Sequence, residues 1–226
     1  LYQLYHANVL QTDMPPDVDE LHRRYLREKR SKLMGQLKSP FAIRIPLFDP
    51  DRFLSATGFL VRPLFSRMGL LAWFSVVIVG LVLAGINWSE LTSNMADRIM
   101  AMENLFLPWL AYPVIKILHE FGHAYSVKHW GGEVHEMGVM FLVFMPIPYV
   151  DASSSSGFRE KHKRIMVGSA GIMIEVFMAA LAMIVWANVE PGSIRAVAFN
   201  VMVVAGVSTI LFNGNPLLRF DAYYIF

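Results

Sequence analysis

The chain of 226 residues is 55% hydrophobic and only 17% charged, with a formal net charge of +2 and no cysteine. A soluble domain carries about 25% charged residues, so this composition excludes an ordinary water-soluble enzyme and points to an integral membrane protein. The missing cysteines exclude disulfides, a thiol nucleophile, thiolate zinc sites and iron–sulfur ligation. The small net charge, without a repeated basic–aromatic face, gives no footing for a nucleic-acid partner.

Residues 1–66 are polar and basic. Leu1–Thr12 is short and mixed; the turn Met14-Pro15-Pro16-Asp17 then leads into a helix expected over Val18–Leu37, with Asp17 as its cap. Arg23, Arg24, Arg27, Lys29, Arg30 and Lys32 give that helix a cationic face. It is either solvated or laid on an anionic inner leaflet, where each cation contributes about 1 kcal/mol. Pro40, Pro46, Pro50 and Pro63 mark an extended or turn-rich connector. The chain opens at Leu1 and stops at Phe226 within an apolar run, and is expected to be a piece of a longer protein.

Four apolar runs follow, and they predict an all-α polytopic membrane protein with about four transmembrane helices. The spans fall near 69–86, 105–130, 165–189 and 196–212. Gly69–Ile86 carries no charge, and a spanning helix needs about 20 mainly apolar residues. The second run holds Lys116, His119, Glu120, His123 and Lys128, whereas the third is interrupted only by Glu175. Between them, residues 131–151 contain the apolar stretch Val139–Met145, too short to span and closed by Pro146 and Pro148. A membrane-embedded hairpin or re-entrant loop fits it, since irregular backbone at depth must be buried in protein or line a wet cavity. Cations crowd ahead of the first span and recur at Arg159, Lys161, Lys163 and Arg164 before the third. The two remaining loops carry only Arg98 and Arg195. This bias puts both ends in the cytoplasm. Two regions result: a basic cytosolic segment, 1–66, and a transmembrane core, 67–226.

The second span carries His119-Glu120-Phe121-Gly122-His123. Residues four apart on a helix differ by about 40° around its axis, so both imidazoles can reach one ion with Glu120 beside them. This is the zinc-protease spacing, in which a three-ligand zinc leaves one position to water and a carboxylate takes its proton. Ionisable groups inside a span are costly and functional by default. The acids that can supply a third ligand include Glu175 and Asp221, and Asp221 ends the Gly- and Pro-opened segment Asn213-Gly214-Asn215-Pro216-Leu217-Leu218-Arg219-Phe220-Asp221. His129 and His135 read as hydrogen-bonded structural residues, and Ser153–Ser156 as a loop without an activating pair.

His-Glu-x-x-His on one span and Asn-x-x-Pro-x-x-x-x-Asp on a later one resemble the site-2 protease family of intramembrane zinc metalloproteases. Gly131-Gly132, the apolar hairpin and Ala170-Gly171 extend the likeness over about residues 105–226. The stretches 131–139, 148–153 and 212–221 are similar to its bacterial peptide zinc metalloprotease branch. The resemblance implies His119, His123 and Asp221 as zinc ligands and Glu120 as general base. It also implies that Asn213 and Pro216 hold the loop presenting Asp221, with Asn213 contacting substrate. The sequence departs from the family at Ala222, where Gly follows the ligand Asp, and at Ile172 and Glu175, where Pro and Asn are usual. Glu175 is expected to pair with Lys116 or Arg219, or to stand near the metal as a supporting acid. The implied protein is a multi-pass, zinc-dependent metalloendopeptidase of the bacterial inner membrane, with its N-terminus cytoplasmic. It hydrolyses peptide bonds in or near transmembrane segments of a membrane protein or peptide substrate. Its expected surroundings are the lipid bilayer and secretion or efflux adaptor proteins. The alternatives are a non-proteolytic component of an export or efflux system, with a structural or vestigial metal site, and a zinc or proton transporter.

Overall fold

The structure, a computed structural model, describes residues 42–93, 106–142, 145–218 and 220–225. The basic helix expected over 18–37, much of the loop 87–104 and Arg219 lie outside these residues. The chain divides into two units, residues 1–44 with 141–144, and residues 45–140 with 145–226. Of the first unit, the described parts are the extended residues 42–44 and 141–142.

In chain order the elements are β1 (Ala42–Phe48), α1 (Asp51–Val61), α2 (Arg67–Ile86), the short α3 (Trp88–Thr92) and α4 (Phe106–His129). Then come β2 (Met137–Leu142), β3 (Met145–Val150), α5 (Lys161–Asn188), α6 (Ser193–Val207), a π-helical turn (Ser208–Asn213) and the short α7 (Asp221–Ile225). The connector read at Pro40–Pro63 is thus largely regular: Pro46 lies within β1, and Pro50 precedes an 11-residue helix. Ser153–Gly157 forms a short 3-10 helix rather than an open loop.

Among the described residues, three helices are long and apolar enough to cross a membrane: α2 with 20 residues, α5 with 28, and the 21-residue stretch Ser193–Asn213. The Ser66 hydroxyl accepts the Gly69 N–H at 3.1 Å and caps α2. Beyond it, Leu71, Phe74, Ile78, Leu81 and Val82 are exposed, a face that lipid would cover. The opposite face meets α5 closely. A Cβ on Gly80 would stand 2.8 Å from the Ala180 Cβ, so these two small residues let the backbones approach. The Trp73 indole N–H donates to the Met173 carbonyl at 2.9 Å and fixes the same contact. Met183, Trp186, Ala198 and Phe199 bury the seam between α5 and α6.

The expectation of an all-α chain is corrected by a three-stranded sheet in the order β1–β2–β3. The apolar hairpin predicted within 131–151 is built of strands, and Pro146 and Pro148 sit inside β3 rather than closing it. They fit because β3 is an edge strand, where a missing N–H leaves no gap in the ladder. The Val150 N–H shares their parity, and it donates to Glu120 Oε2 at 3.0 Å rather than to a strand. The outer edge of β3 therefore carries carbonyls and no free donor along these three positions.

At the other end of α4, α1 docks through Leu54, which is buried with Ala124, Val127, Val134 and Val167. Asp51 accepts from Lys128 Nζ at 2.6 Å and from the Val134 N–H at 3.1 Å. These donors hold its carboxyl below the ordinary value of 3.8, with the Lys128 hydrogen bond the leading favourable cause against a smaller cost of burial. A carboxyl lowered on folding stabilises the fold above its unfolded value, and that contribution disappears as pH falls through the lowered one. Asp51→Asn should therefore lower the stability of the α1–α4 contact at neutral pH by about 1–3 kcal/mol. The difference from wild type should vanish in acid. Hydrogen exchange of α1 amides against pH reads both.

Candidate metal centre

His119 and His123 lie one turn apart on the buried face of α4, 3% and 7% exposed. His123 Nδ1 is 2.7 Å from the Val167 carbonyl, which can only accept, so that nitrogen carries the proton and Nε2 presents its lone pair. His119 Nδ1 lies 3.1 Å from Glu175 Oε1, which sets the same tautomer. The two Nε2 atoms then face each other at 3.1 Å.

Asp221 opens α7 and completes the group. Its Oδ2 is 2.9 Å from His119 Nε2 and its Oδ1 is 3.4 Å from His123 Nε2. Oδ2 is nevertheless buried without a hydrogen-bond partner, because no N–H is aimed at it. With both Nδ1 atoms protonated, two Nε2 lone pairs and a carboxylate oxygen converge. Such an arrangement repels itself unless a cation occupies its centre.

The donor set fits a divalent metal. One candidate ligand atom from each of His119, His123 and Asp221 lies within 4.8 Å of the others, and the three residues form a group that can hold a metal ion. Tetrahedral zinc with bonds of about 2.0–2.1 Å separates its ligands by about 3.3–3.4 Å, close to the spacings found. Gly171 on α5 is part of the cradle, since a Cβ there would collide with both imidazoles. Gly168, nearer the start of α5, lets the backbone of Asp221 and the side chain of Ile225 approach.

Behind His119 lies a polar knot. Glu175 is fully buried and accepts from Lys116 Nζ at 2.8 Å, Ser208 Oγ at 3.1 Å and Thr209 Oγ1 at 2.7 Å. The Asn213 amide reaches both of its oxygens at 2.9 Å. The π-helical turn widens the backbone after α6 and so directs Ser208, Thr209 and Asn213 to one carboxylate, a common use of such turns near sites. Glu175 thus meets the Lys116 partner expected of it, while Arg219 lies outside the described residues.

The remaining site candidates stand outside the ligand group. Glu120 is half-buried beside the ligand pair in sequence, with Oε2 on the Val150 N–H. Pro216 is exposed in the segment between the π turn and α7. His135 is exposed between Asp49 at 3.0 Å and Glu133 at 3.2 Å, and His129 stacks on Phe65 with ring centroids 4.3 Å apart. Sequence reasoning missed the Val167 carbonyl, which no side-chain motif encodes. It also passed over Ser208 and Thr209, although a hydroxyl pair inside an apolar run was a usable signal.

No protein-family model, curated protein or solved structure matches the chain. The geometry makes its own prediction. Gly171→Ala should keep the helical content but reduce divalent-metal retention by about tenfold or more, because the new methyl displaces both imidazoles. Metal content after gel filtration in detergent measures it.

Proposed function

We propose that this chain is the core of a membrane-embedded zinc metalloendopeptidase, which hydrolyses peptide bonds in or near transmembrane segments. One observation carries the reading. His119, His123 and Asp221 bring three ligand atoms together from helices a hundred residues apart, and Glu120 neighbours the first of them on α4. The resemblance of the same residues to site-2 proteases supports it.

The distribution of polarity on α4 supports a fourth span. At about 36 Å its 24 residues exceed the roughly 30 Å hydrocarbon thickness. Trp109, Leu110, Val114, Ile117 and Leu118 are exposed, while Lys116, His119, His123 and Ser126 are buried. A helix with its polar face inward and its apolar face outward is arranged for lipid. The asymmetry of Lys and Arg supports a cytoplasmic N-terminus, and the bacterial inner membrane follows from the resemblance alone.

Zinc in a three-ligand site supplies Lewis acidity and an open position for water. His119 and His123 offer it Nε2, their tautomers set by Glu175 and the Val167 carbonyl. Glu120 takes the proton of the attacking water and passes it to the leaving amine. In the resting protein its carboxylate is held by the Val150 N–H. A spanning substrate must unwind before its carbonyl is accessible. The edge of β3 can take the unwound strand only through that strand's own N–H groups, since Pro146 and Pro148 offer carbonyls alone. A structural or vestigial metal site in an export component would call for a fourth protein ligand or no metal. Among the described residues, His135 and Glu175 both contact other partners.

Zinc content and cleavage of a transmembrane reporter in proteoliposomes test the proposal together. One zinc per chain is expected, lost in Asp221→Asn. Glu120→Gln should retain the zinc and lose cleavage by at least about a hundredfold. Cleavage that survives Glu120→Gln sinks the mechanism, and zinc-free protein after reconstitution favours the export component.

A further inference from the structure

Resting on the metal reading above, we infer that Glu175 is the positioning residue of this centre. It holds His119 by Nδ1 so that Nε2 faces the ion, with Lys116 neutralising the charge it brings.

Three observations meet at Glu175. It has no exposed surface, yet it stands within 3.1 Å of Lys116 Nζ, His119 Nδ1, Ser208 Oγ, Thr209 Oγ1 and Asn213 Nδ2. All five neighbours donate, and a carboxylate that accepts only is the group that satisfies them. Of the five, only His119 also belongs to the ligand group. A carboxylate behind a ligating imidazole fixes its tautomer and ring orientation and raises the basicity of the ligand nitrogen.

Lys116 makes this arrangement tolerable in an apolar bundle. It precedes His119 by three residues on α4, so both side chains share one face and reach the same carboxylate. Without it, Glu175 would be a second negative charge behind a centre that already holds Asp221. Paired with it, Glu175 leaves the balance at the ligand group to Asp221 and the ion. The Nδ2 of Asn213 donates to Glu175, so Asn213 supports this knot.

The test uses the full chain in detergent, with zinc affinity measured by competition against a chromophoric chelator. In the double variant Glu175→Met/Lys116→Met, no charge is left unpaired, and no acceptor stands behind His119 Nδ1. Where its circular dichroism keeps the wild-type helical content, it should bind zinc about 10–100-fold more weakly. A folded double variant with wild-type affinity overturns the role of Glu175 and leaves the proposed function standing. Wild-type protein that binds no zinc overturns both. A readout on the unaltered chain guards against a variant that fails to fold: nitrogen-15 histidine spectra should show His119 protonated at Nδ1 and coordinated through Nε2. Coordination through Nδ1 would refute the inference.

Discussion

A carboxylate sealed inside an apolar bundle must be surrounded by donors or it cannot stay ionised there, and Glu175 is such a group. Its five donors come from two other parts of the chain, α4 and the π-helical turn after α6. Satisfying that one side chain therefore fixes how α4, α5 and the end of α6 pack. The same constraint aims His119 at the position where His123 and Asp221 converge. The ligand group is a consequence of the knot beside it as much as of its own motif.

The rest of the architecture keeps that knot dry and close. Small residues do this at each contact. Gly80 lets α2 lie against Ala180, and Gly171 leaves room for both imidazoles. At the far end of α4, α1 and the Asp51–Lys128 pair anchor the helix outside the apolar core. On α4, Lys116, His119, His123 and Ser126 point inward while Trp109, Leu110, Val114, Ile117 and Leu118 point outward, the reverse of a helix in a soluble bundle.

The sheet adds a second function for a motif residue. Pro146 and Pro148 remove donors from the open edge of β3, and Glu120 occupies the Val150 N–H on the same edge. An edge stripped of free donors can pair only with a strand that supplies its own N–H groups. Glu120 thereby ties α4 to β3 next to the ligand pair, so the acid proposed as base is held by backbone rather than by a cation.

Much of this was legible in the residues themselves. Runs of apolar residues become α2, α5 and the Ser193–Asn213 helix because length and hydropathy are local properties. The spacing of His119 and His123 brings them onto one face because helical periodicity is local too. Asp221 was recognisable as a partner only through its motif, because nothing in the intervening hundred residues encodes its approach. The sheet was misjudged because Pro146 and Pro148 read as terminators until β3 is known to lie at an edge. The sequence alone determined the three long apolar helices and the identities of the ligand candidates. Only the tertiary structure decided that Glu175 takes Lys116 and stands behind His119, and that Asn213 donates to it. Those choices depend on which helix faces meet, and that is settled by satisfying every buried polar group at once.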